Sequence, residues 1–170
     1  MNEINAIFDR ASVLPVILSL FIALALSFAL TPVVKWLAVK IGAVDVPKDK
    51  RRMHDHPIPR LGGLAIFIGF VVAVLLFADV DRQLRGILLG ACIIEAVGMV
   101  DDSHSLGAGI KLIFQIIAAL IAVWHGVVIE MIANPLPFIG GEYWDFGIMA
   151  VPITVIWIVA VTNSVNLIDG

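Results

Sequence analysis

Gly98-Met99-Val100-Asp101-Asp102-Ser103-His104-Ser105-Leu106-Gly107 closes one long apolar run and opens onto another. Two adjacent carboxylates thus stand where an apolar segment gives way to water. Neighbouring acids repel, and one reason to keep them together is a divalent cation, since Mg²⁺ takes hard oxygen ligands and usually bridges to phosphate. The plainer reading is a solvated turn, because Asp, Ser and Gly are turn formers. Taken alone, Asp101 and Asp102 favour the turn; the rest of the chain reverses that preference.

Of the 170 residues, 61% are hydrophobic and the mean hydropathy is +1.04. Ordinary globular domains are about half apolar, so the composition describes an all-α integral membrane protein. Five segments approach the roughly 20 apolar residues that a bilayer requires, or about 17 at the short end. They run over about 13–37, 61–78, 84–100, 110–128 and 147–161, the last being the shortest. None carries a clean amphipathic stripe, as expected where the outer face meets lipid. The first ten residues lack the basic start of a signal peptide, and the run after them is too long for one, so it reads as a retained anchor. Cys92 is the single cysteine, which rules out an intrachain disulfide and disfavours a cysteine metal site.

Lys35, Lys40, Lys48, Lys50, Arg51, Arg52 and Arg60, seven of the eleven basic residues, cluster around the connection between the first two segments. Positive loops stay in the cytoplasm. That places the N-terminus outside and puts loops 38–60 and 101–109, with the stretch from Asn163 to Gly170, on the cytoplasmic side. Arg82 and Arg85, beside the outer turn at Asp79-Val80-Asp81, are a small counter-signal. The external segment 129–146 has apolar residues, then Pro135, Pro137, Gly140 and Gly141, then Tyr143, Trp144 and Phe146. This order predicts a small β-hairpin with aromatic anchors at the interface.

Three further clusters bear on chemistry. In Asn163-Ser164-Val165-Asn166-Leu167-Ile168-Asp169-Gly170, helical spacing would put Asn163, Asn166 and Asp169 on one face. Two amides and a carboxylate can bind a nucleotide, a sugar or a metal; an ordinary polar helix end capped by Gly170 is the alternative. The basic loop ends in Pro57-Ile58-Pro59-Arg60-Leu61-Gly62-Gly63. The prolines stiffen the chain, the glycine pair lets backbone come close to a ligand, and N–H groups beside Arg60 suit an anionic phosphate. His54 and His56 make a poor transition-metal pair, with one residue between them and no cysteine nearby. Within the apolar runs, Glu95 should face the protein interior, because a lone charge there costs at least a few kcal/mol. Lys111 opens the fourth segment and would either neutralise an acidic site or snorkel to the interface. His125 reads as interfacial.

The ordered set Asp45-Val46-Pro47, His54 with Pro57 to Gly63, Asp101-Asp102, and Asn163 to Gly170 resembles the polyprenyl-phosphate N-acetylhexosamine-1-phosphate transferases. The Pro-x-Pro-Arg-x-Gly-Gly ending resembles the branch that transfers N-acetylglucosamine-1-phosphate to undecaprenyl phosphate. The resemblance implies Mg²⁺ (or Mn²⁺), a UDP-N-acetylhexosamine donor, an undecaprenyl phosphate acceptor and UMP as leaving product. It implies Asp101, Asp102 and Asp169 as catalytic and metal residues, with Arg60, Gly62, Gly63, Lys111, Asn163 and Asn166 binding substrate. It also implies a bacterial inner-membrane enzyme of cell-envelope polysaccharide synthesis, with membrane lipid around it, no nucleic-acid partner and a homodimer allowed. Family members have roughly ten spans, so about five reads as the N-terminal half, not expected to be active alone. The competing classes are a transporter, which also places acids inside helices, and a non-catalytic assembly subunit.

Overall fold

The computed structural model describes residues 10–45, 58–135 and 141–169. Five helices dominate: α1 (Arg10–Ile41), α2 (Gly62–Phe77), α3 (Arg82–Ser103), α4 (Ala108–Trp124) and α5 (Ala150–Asp169). Two strand pairs interrupt them: β1 (Val44–Asp45) with β2 (Ile58–Pro59), and β3 (Met131–Ala133) with β4 (Tyr143–Asp145). The stretches Val13–Ile41, Arg82–Ser103 and Gly147–Ile168 are long and apolar enough to cross a membrane, while α2 and α4 are apolar but shorter. Large side chains such as Phe28, Trp36, Ile66 and Trp157 stand exposed along these helices, as they must where lipid replaces water as the solvent. The chain is thus an all-α membrane protein with small strand pairs. It divides into two compact units, residues 1–79 with 98–105 and residues 80–97 with 106–170.

In the first unit, α1 continues through Pro15 and Pro32. Pro32 has no N–H to give the helix; beside it the Thr31 hydroxyl donates to the Ser27 carbonyl at 2.7 Å. The helix stops at Gly42, whose φ of 79° only glycine adopts cheaply. Gly42 N–H donates to the Val39 carbonyl and Ala43 N–H to the Ala38 carbonyl at 2.9 Å, the paired bonds of a Schellman cap. The cap turns the chain into β1, which pairs antiparallel with β2 in the register Val44 to Pro59 and Asp45 to Ile58. This pairing was not legible in the sequence. It pins both ends of the basic loop, whose residues 46–57, including His54 and His56, lie outside the described residues. Val34, Ala38, Ala43, Leu61 and Ala65 form the buried centre, with Leu30, Leu37, Leu64 and Met99 packed on it. Alanines at the contact let helices approach closely, the usual means of association in lipid.

Within this unit the helices approach most closely at Gly69, where an added Cβ would lie 2.6 Å from the Ala23 carbonyl oxygen; at Gly98 it would meet nothing within 4 Å. Gly69→Ala should therefore lower stability by about 1–3 kcal/mol, the cost of overpacking. Gly98→Ala should be neutral or gain up to about 1 kcal/mol from helix propensity. Thermal unfolding in detergent measures both, and equal midpoints would refute the close α1–α2 packing.

In the second unit, Asp81 caps α3 by accepting from Leu84 N–H at 2.7 Å. Arg82 and Gln83 then cap the other end of α4, donating to the carbonyls of Trp124 at 2.8 Å and Gly126 at 2.9 Å. Arg85 donates to the Asp81 carbonyl at 3.1 Å. Both arginines that ran against the charge asymmetry of the loops are thus engaged by backbone carbonyls, a use of cations independent of membrane orientation. The expected hairpin is present as β3–β4, pairing Met131 with Asp145 and Ala133 with Tyr143; its tip, residues 136–140, lies outside the described residues. Buried Thr154 ties the strands to α5, accepting from Ile129 N–H at 2.8 Å and donating to the Ala150 carbonyl.

Helix ends differ from the sequence expectation in two places that matter. α3 runs through Ser103, so Asp101 and Asp102 are helical and the connection expected at 101–109 shortens to 104–107. α5 runs to Asp169 and not to about 161. Both extensions are polar, and hydropathy marks where a segment stops being apolar, not where its backbone stops being helical.

Candidate active site

The first unit holds the carboxylate pair and the end of the basic loop. Asp101 and Asp102 occupy the last turn of α3, both half-buried. A helix C-terminus already carries about half a negative charge, so the pair is set against the dipole as well as against itself. Partial burial weighs most on the Asp102 charge, Arg60 attracts it and Asp101 repels it. The turn is held in place by Met99, which packs on the buried centre, and by Ser103, whose hydroxyl donates to the Met99 carbonyl at 3.0 Å. Arg60 is placed by its own N–H, which donates to the Ala43 carbonyl at 3.0 Å, and by the buried Leu61 that follows it. Gly62 and Gly63 start α2, both exposed, and no side chain caps that helix. Space above Gly62 is open. First-turn N–H groups left without a side-chain cap suit an anion.

The second unit holds the amide-rich face. Asn163, Asn166 and Asp169 lie three residues apart on α5, as the spacing required; the Asp169 side chain lies outside the described residues. Asn166 is exposed. Asn163 is engaged: its Nδ2 donates to Gln115 Oε1 at 2.7 Å and to the Val159 carbonyl at 2.9 Å, while Gln115 Nε2 donates to its Oδ1 at 3.2 Å. Gln115 escaped the sequence reading, although an amide inside Ile113-Phe114-Gln115-Ile116 is a signal, since polar groups inside membrane helices require partners. Lys111 sits half-buried in the first turn of α4. His125 is structural, its ring nitrogen Nδ1 bonding the Ile121 carbonyl at 2.8 Å and its Cβ lying against Gly86.

Among the described residues no group of three His, Cys, Asp or Glu side chains forms a ready cation cage. Mg²⁺ does not need one, because it keeps several waters and is bound through one or two carboxylates plus substrate phosphates. Two adjacent carboxylates of all-oxygen character on the negative end of a helix fit that requirement.

The model of glycosyl transferase family 4 matches residues 84–170, which include the carboxylate pair, Lys111 and the whole amide-rich face. This chain belongs to glycosyl transferase family 4. A Bacillus subtilis protein, described as a probable undecaprenyl-phosphate N-acetylglucosaminyl 1-phosphate transferase, is 40% identical over 91% of the chain and 42% of its own length. A Mycolicibacterium smegmatis decaprenyl-phosphate N-acetylglucosaminephosphotransferase is 32% identical over 87% of the chain and 38% of its own length. A Chlorobaculum parvum phospho-N-acetylmuramoyl-pentapeptide-transferase is 28% identical over 74% of the chain and 38% of its own length. The chain therefore spans about two fifths of the length of these relatives, all named as transferases of phosphosugar groups. No solved structure matches it.

Proposed function

We propose that this chain contributes to transfer of N-acetylglucosamine-1-phosphate from a UDP-sugar to undecaprenyl phosphate, on the cytoplasmic face of a bacterial membrane. The observation that carries the reading is the adjacent, half-buried carboxylates Asp101 and Asp102 in the last turn of α3, with Arg60 attracting the charge of Asp102. Two adjacent carboxylates at the negative end of a helix suit a divalent cation, and a metal-bound pyrophosphate brings one. The identity to the Bacillus subtilis protein favours N-acetylglucosamine over the muramoyl-pentapeptide donor.

In this reaction an oxygen of the lipid phosphate forms a bond to the sugar-bearing phosphorus. The bond from that phosphorus to the bridging oxygen breaks, and the oxygen leaves on UMP. A phosphate monoester has a second pKa near about 6 and is mostly a dianion at neutral pH, so no strong base is required of the protein. Its task is to bring two anions together. Arg60, Lys111 and the N–H groups at Gly62 and Gly63 meet phosphate oxygens. Asn166 and Asp169 hold the nucleotide, and the apolar helices accept the polyprenyl chain. Asp101 and Asp102 would hold Mg²⁺, which when bound neutralises charge at the pyrophosphate.

The test measures Mg²⁺-dependent UMP release from UDP-N-acetylglucosamine with undecaprenyl phosphate, using the chain alone and the chain continued to the length of its relatives. Release only by the longer protein is the expected result. No release by either, with solute flux into vesicles, would replace the transferase with a carrier.

A further inference from the structure

We infer that Gln115 and Asn163 form an interhelical latch that sets the rotation of α5, and that both are positioning residues for Asn166 and Asp169. The inference rests on the transferase reading above and assigns Asn163 a different task from substrate binding.

The argument starts from saturation. Gln115 is 9% exposed in an otherwise apolar helix, where an amide left without hydrogen-bond partners is costly. Each of the two amides both donates to and accepts from the other, and Asn163 spends its second N–H on the Val159 carbonyl. Little hydrogen-bonding capacity of Asn163 is left for a ligand. Nor can the pair survive a turn of α5 about its axis, since a rotation by one residue moves a side chain about 100° around the helix. The apolar contacts of α4 and α5 would resist such a rotation poorly: Ala118, Ala119 and Ala122 are small and nearly featureless where they are buried. Nine residues beyond the tie between Thr154 and Ile129, the reciprocal amide pair supplies the direction-dependent contact that small apolar residues lack at this end of α5. Asn166 and Asp169 follow Asn163 by three and six residues on the same continuous helix, so the latch fixes the angular position of both.

The experiment uses the chain continued to its relatives' length and compares Gln115→Leu, Asn163→Leu, the double Leu variant, and the exchange Gln115→Asn with Asn163→Gln. Initial rates are taken against UDP-N-acetylglucosamine and undecaprenyl phosphate separately, with thermal unfolding alongside. Each single variant should raise KM for the nucleotide sugar about tenfold and leave KM for the lipid phosphate unchanged. The double variant should be no worse than either single, since both remove one shared interaction, and the exchanged pair should recover most of the loss. A fall in kcat alone with unchanged KM values would make the pair merely structural and overturn the latch. So would a large effect of Asn163→Leu with none of Gln115→Leu, the pattern of direct substrate contact. Absence of transfer by the unsubstituted protein would overturn the transferase reading and the latch with it, whereas normal transfer insensitive to all four variants would overturn the latch alone.

Discussion

Asp102→Asn, in the chain continued to its relatives' length, is expected to lower the rate of UMP release about 10³-fold while the protein becomes slightly more stable. The rate loss is the several kcal/mol that a fixed charge or a metal contributes to a phosphoryl-transfer transition state. The stability gain follows from what opposes the carboxylate: partial burial, the Asp101 charge and the negative end of α3. Amide for carboxylate removes a charge set against a helix dipole, worth up to about 1 kcal/mol, though it also gives up the attraction of Arg60. Activity and unfolding temperature thus move in opposite directions, which is the signature of residues kept for chemistry and not for folding. Rates within a few-fold of the unsubstituted protein would remove the carboxylate pair from the reaction. A drop in both quantities would make Asp102 a structural partner of Arg60.

Chelation is expected to have an effect of similar size. EDTA should halt transfer, Mg²⁺ should restore it and Mn²⁺ should substitute in part. An independent readout is unfolding: a ligand that binds only the folded state at a hundred times its Kd stabilises by about 2.7 kcal/mol. Mg²⁺ should therefore raise the unfolding temperature of the unsubstituted protein and lose that effect in a variant carrying both Asp101→Asn and Asp102→Asn. Transfer that persists in EDTA would shift the charge neutralisation to Arg60 and Lys111.

Much of the candidate site was readable because its residue types are costly where they stand. Acids at the end of an apolar run, a glycine pair after stiffening prolines, and amides at helical spacing each break a local expectation, and such breaks concentrate at functional positions. Gln115 breaks the same rule, but a single amide in an apolar run signals a partner without naming it. Arg82 and Arg85 show a role that a charge count does not reveal. Their charge counted against the loop asymmetry, yet Arg82 is spent on the carbonyl of Trp124 and Arg85 on that of Asp81.

By itself the sequence determined the helical membrane class, the five apolar helices among the described residues, the β3–β4 hairpin and the order of the polar clusters. All of these follow from apolar run length and turn chemistry, which act between near neighbours in the chain. Only the tertiary structure decided which helix faces meet: Gly69 against Ala23, Met99 on the Val34 and Leu61 centre, Gln115 with Asn163, and β1 with β2. Helices apolar on every side carry no stripe to announce their buried face, and in lipid the choice falls to small residues and single hydrogen bonds. Those pairings join residues distant in the chain, and they exist only once the helices have packed.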